Sequence, residues 1–240
     1  MTALAATTQK YERISLTPTS GALGMEVNGV DLSQPLDDAL FAEIEHAFHE
    51  NLVLVFRDQN IEPQHQLDFT HRFGPSEEHP LGSRRGLDDY PDVMVLENRP
   101  GKLGPRNDFW HSDISFGEVP PALSMLYAIE VSPGLADTMF SNMYAAYEEL
   151  SETLRSFLDG LQAEHNAQTL VTEVPSRVQV TEVPPGVIHP VVRTHPKTGR
   201  RALYVNPYYT SHFIGTVSYT HLRAHETDSY LVCRRLLEKK

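Results

Sequence analysis

The stretch Trp110-His111-Ser112-Asp113 decides how this chain is interpreted, because it sets an imidazole and a carboxylate two residues apart. On a β-strand, residues i and i+2 project from the same face, so a short strand at 110–113 would direct a nitrogen and an oxygen at a common point. Two histidines and one carboxylate form the facial triad that holds Fe(II) and leaves positions open for other ligands. The stretch therefore predicts two of three iron ligands, His111 and Asp113. A buried strand with a hydrogen bond between these side chains is the alternative.

Composition limits the partners of the chain. The 240 residues include 32 Asp and Glu but only 20 Lys and Arg, which gives a formal net charge of −12. Such a field repels nucleic acid and anionic membrane surfaces, so neither is an expected partner. No apolar run approaches the ~20 residues needed to span a bilayer, and the first ten residues lack the apolar core of a secretory signal. Together with the single cysteine, Cys233, these features predict a cytoplasmic protein without a disulfide framework.

Apolar spacing predicts many short strands and a few helices. Helices are expected over 36–48, 63–74 and 143–161. The expected strands are 13–16, 24–30, 52–56, 93–96, 110–113, 122–131, 191–194 and 202–205. Residues 162–187 have little helical period and three prolines, so they are interpreted as an irregular excursion of the kind that forms a lid. This order favours a mainly β protein with flanking helices, a sandwich or jelly roll, over an alternating βαβ sheet.

An ordered series of segments resembles the taurine dioxygenase-like (TauD/TfdA) family of Fe(II)- and 2-oxoglutarate-dependent dioxygenases. The series runs from Arg13 to Gly215 and contains the segments 29–33, 55–59, 72–74, 110–113, 137–138, 144–150 and 189–196. The resemblance implies a double-stranded β-helix, a form of jelly roll. In that fold the His-x-Asp segment supplies two metal ligands, which are His111 and Asp113 here.

The same resemblance implies roles for three further residues. The hydroxyl of Thr138 is expected to help bind the carboxylate of 2-oxoglutarate, as a charge-assisted donor. His79 and Asn107 are expected to contact substrate. Gly82 stands where the sulfonate-oxidising members use a tyrosine, which argues against taurine itself. The alternatives are a turn hydroxyl at Thr138 and ordinary polar loop residues at His79 and Asn107.

The sequence departs from the family pattern after Gly215. The family's distal histidine and the arginine that binds the co-substrate have no counterpart in residues 216–240, where basic residues gather instead. We therefore expect a disordered N-terminus at 1–10, an incomplete jelly roll at 11–215 and a non-family tail at 216–240, as if the final strands had been lost.

The remaining histidines of the second half do not replace the missing ligand. His189 and His195 each precede a proline, and the family places both outside its triad, so a structural role is favoured for them. His221 and His225 are four residues apart and are interpreted as an incidental surface pair. His212 is left unassigned.

The resemblance implies a hydroxylase with Fe(II), 2-oxoglutarate and O2 as its cofactors. Oxidative decarboxylation of 2-oxoglutarate would yield succinate and CO2 and drive hydroxylation of a small, anionic, taurine- or alkylsulfonate-like metabolite. Loss of the distal histidine and arginine would leave this chain inactive. Family members commonly self-associate, so a homo-oligomer is expected. Two alternatives stay open: a non-catalytic jelly-roll fragment with weak or no ligand binding, and a cupin-like metal protein with other chemistry.

Overall fold

Short strands outnumber helices in the computed structural model, which describes residues 11–76, 79–81, 86–97, 109–131, 137–173 and 182–215. The described strands are β1 (Ser15–Pro18), β2 (Met25–Asn28), β3 (Leu54–Phe56), β4 (Gly86–Leu87), β5 (Tyr90–Met94), β6 (Gln162–His165), β7 (Val187–Pro190), β8 (Val192–Thr194), β9 (Arg201–Leu203) and β10 (Thr210–Phe213). The helices are α1 (Asp38–Asn51), α2 (Pro63–His71), α3 (Met143–Glu148), α4 (Glu152–Leu158) and α5 (Gln168–Glu173). None of these described helices is both long enough and apolar enough to cross a membrane.

The first of two compact units contains Met1–Ser76, Met125–Asn142 and Pro196–Thr198. Its sheet has the order β1-β2-β3, in which β1 and β2 are antiparallel and β2 and β3 are parallel. The Asp37 side chain caps α1 by accepting from the Leu40 N–H at 3.0 Å, as an N-cap carboxylate should. The apolar stripe of α1 is buried at Phe41, Ile44 and Ala47. Ile44 and Ala47 belong to the core cluster that includes Val27 of β2, and Phe41 contacts the ring of Phe73 at 4.8 Å. The predicted helix over 36–48 is therefore confirmed.

The second predicted helix is also confirmed. Helix α2 begins at Pro63, where the missing N–H of proline costs no hydrogen bond. The side chain of His65 accepts from the Glu62 N–H at 3.0 Å and satisfies one of the exposed donors at this end. The helix ends at His71, three residues before the predicted end at Gly74.

The predicted strand over 122–131 is wrong for the part of the chain that the structure describes. Exposed and half-buried residues alternate along 122–128, as in a strand. However, the polar groups of this segment bond to side chains and loops rather than to a neighbouring strand: Gln66 donates to the Met125 carbonyl at 3.2 Å, and the Tyr127 hydroxyl donates to the Gln59 carbonyl at 3.1 Å. The alternation of apolar and polar residues correctly indicated that one side of the segment is buried. A strand also needs backbone hydrogen bonds to a neighbouring strand, and alternation does not provide these.

The second compact unit contains Glu77–Ser124, Met143–His195 and Gly199–Lys240. Its main sheet has the order β10-β6-β7 and is antiparallel, and β8 and β9 form the predicted hairpin. Strand β5 ends at Met94, so the strand expected at 93–96 is shifted towards the N-terminus. The core lies in two clusters, one around Phe116, Leu170 and Tyr209 and the other around Tyr147, Ala163 and Val191.

Two further predictions in this unit need correction. The helix expected over 143–161 is two helices, because Ser151 starts α4 anew by accepting from the Leu154 N–H at 3.2 Å. The excursion expected over 162–187 is partly regular, since it contains β6 and α5 and reaches β7. Its prolines lie at or beyond residue 175, and residues 174–181 fall outside the described part of the chain.

Candidate metal centre

The segment that carries His111 and Asp113 is a loop within the described residues, so the predicted strand at 110–113 is wrong. The reason is local. Ile114 has a positive φ of 48°, which no extended strand accommodates. The Ser115 N–H bonds the Ser112 carbonyl at 3.3 Å and the Gly117 N–H bonds the Ile114 carbonyl at 2.9 Å, so the chain curls into successive turns directly after Asp113.

The loop nevertheless brings the two predicted ligands together. Nε2 of His111 lies 3.3 Å from Oδ1 of Asp113. Nδ1 of His111 lies 2.8 Å from the Phe109 carbonyl, which can only accept, so Nδ1 carries a proton. In a neutral ring Nε2 then presents a lone pair towards the carboxylate oxygen. Two lone pairs at this distance require a positive charge between them, either a second proton on the ring or a metal ion.

The second oxygen of Asp113 is also held. Ser124 donates to Oδ2 at 2.5 Å, which leaves Oδ1 facing His111. The pKa of Asp113 is lowered by its interaction with His111, and the hydrogen bond from Ser124 lowers it further against an opposing effect of burial. Asp113 is therefore an anion at neutral pH, as a metal ligand must be.

These residues fit a divalent metal ion. Two ligand atoms about 2.1 Å from one metal and at right angles to each other lie about 3 Å apart, which is close to the observed separation. The partners of Nδ1 and Oδ2 are of the kind that orient metal ligands in proteins, a backbone carbonyl behind the histidine and a hydroxyl behind the carboxylate. Among the described residues, no group of three or more His, Cys, Asp and Glu side chains could hold a metal, so a third protein ligand is not located there.

Aromatic rings surround His111. The ring centroids of Tyr208 and Tyr209 lie 5.8 and 6.2 Å from that of His111, and Phe109 stacks on Tyr208 at 5.7 Å. Phe116 contacts Tyr209 at 4.9 Å. The candidate centre thus has a largely apolar wall on the side formed by these rings.

The structure places His79 near this centre. Its ring lies 6.0 Å from that of Phe116, and it interacts electrostatically with Asp113. Burial lowers the pKa of His79, against a smaller raising effect of Asp113, so the ring is neutral at pH 7. Because Nδ1 accepts from the Leu81 N–H at 3.3 Å, the proton lies on Nε2, which is available as a donor.

The described structure gives the other predicted site residues different surroundings or does not include them. Thr138 is exposed and belongs to the first compact unit. Asn107, His221 and His225 lie outside the described residues. His195 contacts the Tyr144 ring, and His212 of β10 lies near Glu164 of β6. The roles of Thr138 and Asn107 therefore stay predictions.

Comparison with known proteins now identifies the family. The profile described as "Taurine catabolism dioxygenase TauD, TfdA family" matches residues 13–236. The chain belongs to this TauD/TfdA family. The match continues past Gly215, where the sequence pattern ceases to resemble the family, so the assignment of 216–240 as a non-family tail stays a prediction.

Characterised TauD/TfdA members show what this chain is similar to. It is 35% identical over 207 residues to the alpha-ketoglutarate-dependent 2,4-dichlorophenoxyacetate dioxygenase of Cupriavidus pinatubonensis, covering 79% of this chain and 71% of that protein. It is 32% identical over 201 residues to the alpha-ketoglutarate-dependent sulfate ester dioxygenase of Pseudomonas putida, covering 79% and 65%. The chain thus spans about two thirds of the length of these relatives.

A solved structure confirms the fold class. The crystal structure of a taurine dioxygenase from Burkholderia xenovorans matches with a TM-score of 0.66 and 31% identity, covering 85% of this chain and 67% of that one. The predicted TauD/TfdA jelly roll, mainly β with flanking helices, is confirmed by this similarity.

Sequence reasoning missed the residues that support the two ligands. Ser124 was not singled out, because it lies 11 residues beyond Asp113 in a segment interpreted as a strand. Ser115 and His165 were missed because 162–187 was interpreted as an excursion. The alternation in Gln162-Ala163-Glu164-His165 indicates a strand with Ala163 and His165 on one buried face, and both residues have an exposure of 0%.

Proposed function

We propose that this chain is an Fe(II)- and 2-oxoglutarate-dependent dioxygenase whose metal is held by His111 Nε2 and Asp113 Oδ1. The observation that carries the proposal is the 3.3 Å approach of these atoms, with Phe109 and Ser124 fixing the far side of each ligand. When bound, Fe(II) with 2-oxoglutarate and O2 supplies the oxidising power that yields succinate, CO2 and a hydroxylated substrate. The chain's own contribution is to orient the ligands and to place the aromatic rings of Tyr208 and Tyr209 beside His111.

The substrate we propose is a small organic anion. The two relatives above are named for a phenoxyacetate and a sulfate ester, both of which carry an anionic group. Near the candidate centre, Nε2 of the neutral His79 can donate a hydrogen bond to such a group, and the rings of Phe109 and Tyr208 can contact its apolar part. Asn107 is proposed as a second polar contact, and Thr138 as a donor to the carboxylate of 2-oxoglutarate.

The other expectations from the sequence are retained as proposals. We expect the chain to act in the cytoplasm on a small molecule and to form a homo-oligomer. Neither nucleic acid nor a membrane is an expected partner, given the net charge of −12.

A second candidate function has one observation in its favour. Because the described residues contain no third donor beside His111 and Asp113, the chain could be a non-catalytic jelly roll that binds metal weakly. Two protein ligands bind far less tightly than three, so a chain with only these two would be an inactive protein.

One assay separates these functions. Purified chain is incubated with Fe(II), ascorbate, 2-oxoglutarate and a panel of phenoxyacetate, alkyl sulfate and sulfonate compounds, and succinate is measured. The dioxygenase proposal predicts succinate that depends on O2 and is abolished in His111→Ala, while the exposed-surface control Ser156→Ala retains it. Succinate formation that is equal in His111→Ala and wild type would reject the proposed site. Absence of succinate together with weak metal binding would support the non-catalytic candidate.

A further inference from the structure

The loop that carries the candidate ligands has a strained backbone. Ile114, directly after Asp113, is a β-branched residue with a φ of 48°. Such a conformation is costly for this residue type, and it persists only where the surroundings hold it in place. Whatever holds Ile114 and its neighbours therefore also determines where the Asp113 side chain points.

His165 of β6 holds the loop at Ser115. Its Nδ1 lies 3.0 Å from Ser115 Oγ, and both side chains have an exposure of 0%. Ser115 Oγ also accepts from the side-chain amide of Asn206 at 3.2 Å. The same Asn206 accepts from the backbone N–H of Tyr208 and Tyr209, the two rings beside His111. Ser115 therefore links the metal-ligand loop, β6 and the aromatic wall.

His189 of β7 holds the same loop at Gly117, two residues after Ser115. Its Nε2 lies 2.9 Å from the Gly117 carbonyl, which can only accept, so this nitrogen is the donor. The strands β6 and β7 are paired directly, with Ala163 opposite His189. Two histidines from neighbouring strands thus bond to one short loop at positions two residues apart.

The two imidazoles are packed into a rigid unit. Their rings meet edge to face at 5.4 Å, and Tyr204 stacks on His165 at 5.5 Å with an angle of 14° between the ring planes. Burial lowers the pKa of both rings, that of His165 to about 4, so both are neutral at pH 7 and act through hydrogen bonds. Burying polar rings is unfavourable unless each finds its partners. One nitrogen of each ring has its partner on the ligand loop, at Ser115 for His165 and at Gly117 for His189, while Nε2 of His165 lies 3.4 Å from Thr210 Oγ1 on β10.

We propose that His165 and His189 are positioning residues that hold the 113–117 loop in its strained turn and thereby set the approach of Asp113 to His111. This inference rests on the proposed metal role of those two ligands. It predicts that the affinity for the metal depends on two histidines that do not touch it.

The chain contains its own reporter for this inference. Trp110 is its only tryptophan, it immediately precedes His111, and it has an exposure of 37%. Quenching of its fluorescence by acrylamide reports on the order of the loop without any metal. Quenching by added Mn(II) measures binding of the metal alone, with His111→Ala as the reference for a lost site.

The test compares five variants that remain folded by circular dichroism. His165→Leu and His189→Leu remove the hydrogen bonds and keep an apolar side chain of similar bulk. Ser115→Ala removes only the hydroxyl, and it replaces a leucine variant in the test if that variant does not fold. His165→Asn restores a polar group near the position of Nδ1 and is the rescue variant. His212→Asn, on the adjacent strand β10, is the control for loss of a histidine that does not bond to the loop.

We expect His165→Leu and His189→Leu to raise the acrylamide quenching constant of Trp110 by about twofold through local loosening of the loop. We expect Mn(II) affinity to fall by about tenfold, as is typical when support of a metal ligand is lost. His165→Asn should restore most of the wild-type acrylamide quenching and Mn(II) affinity, and His212→Asn should match the wild type in both. A folded His165→Leu or Ser115→Ala protein with unchanged Trp110 quenching would overturn the inference.

The acrylamide measurement also separates this inference from the proposed function. Mn(II) binding that persists unchanged in His111→Ala would reject the metal role of the site, whatever the histidine variants do. Unchanged acrylamide quenching rejects the positioning role even if Mn(II) binds at His111 and Asp113.

Discussion

Ser124 donates a hydrogen bond to Oδ2 of Asp113 at 2.5 Å, on the oxygen opposite to the one that faces His111. This contact orients the carboxylate from outside the ligand loop. In Ser124→Ala, Oδ2 loses its partner and the pKa of Asp113 should rise towards its usual value. We expect Mn(II) affinity, measured by Trp110 quenching, to fall by about tenfold. The control Ser156→Ala, on the exposed side of α4, should leave the affinity unchanged, and an unchanged affinity in Ser124→Ala would show that this hydroxyl does not orient the ligand.

His79 is expected to act on substrate rather than on metal. In His79→Ala the Nε2–H donor is lost, so kcat/KM for a turned-over anionic substrate should fall by about tenfold or more, the cost of leaving a charged group without its hydrogen bond. Mn(II) affinity should stay within about twofold of the wild type, because His79 is not one of the proposed ligands. His79→Gln keeps an amide donor and should recover part of the activity. If His79→Ala lost metal affinity and activity to the same extent, His79 would instead be a metal ligand.

Stability should depend on pH through His165. The folded-state pKa of this histidine is lowered from 6.5 to about 4, first by burial and then by the neighbouring His189. As pH falls below 6.5, His165 binds a proton in the unfolded chain but stays neutral in the folded chain. The free energy of unfolding therefore falls until pH reaches about 4, where the folded chain also binds the proton. The loss is at most about 3 kcal/mol from this one group. His189, whose pKa is also lowered by burial, adds to the loss in the same direction.

Urea titrations at several pH values between 7 and 4 test this dependence. His165→Asn removes the contribution of His165, so its free energy of unfolding should fall less steeply with decreasing pH than that of the wild type. Parallel curves for the two proteins would mean that the pKa of His165 is the same in the folded and the unfolded chain.

Two isoleucines of the first compact unit provide a matched pair for its packing. Ile44, on α1, has an exposure of 0%, whereas Ile129 has an exposure of 87%. We expect Ile44→Ala to lower the free energy of unfolding by about 2–5 kcal/mol because it leaves a cavity in the core. Ile129→Ala should change it by no more than about 0.5 kcal/mol. Urea denaturation followed by circular dichroism checks both values, and similar losses would contradict the described burial.

The parts of the fold that sequence predicted best are those with local physical causes. The stripe of α1 and the cap at Asp37 are visible in consecutive residues, as is Pro63 at the start of α2. The break at Ser151 was missed because the apolar period continues across it, while the serine that restarts the helix looks like an ordinary surface residue. The strand predicted over 122–131 was wrong because a strand needs a neighbouring strand to bond with, and the local sequence pattern does not reveal whether one is present.

The candidate site shows the same division between local and distant causes. The closeness of His111 and Asp113 follows from their spacing, although a turn rather than a strand presents them. Ser115 and His165 are 50 residues apart in sequence, so their hydrogen bond depends on tertiary structure that the sequence pattern did not reveal. Family resemblance predicted His111 and Asp113 as metal ligands, but it did not point to the buried histidines that bond to the loop.

Anaerobic equilibrium dialysis against Fe(II) tests the central claim most directly. If His111 and Asp113 hold the metal, the wild-type chain in the presence of 2-oxoglutarate should retain iron, and both His111→Ala and Asp113→Asn should lose it while keeping their circular dichroism spectra. Iron retained equally by the wild type and by both folded variants would contradict the claim, since the metal would then be bound elsewhere.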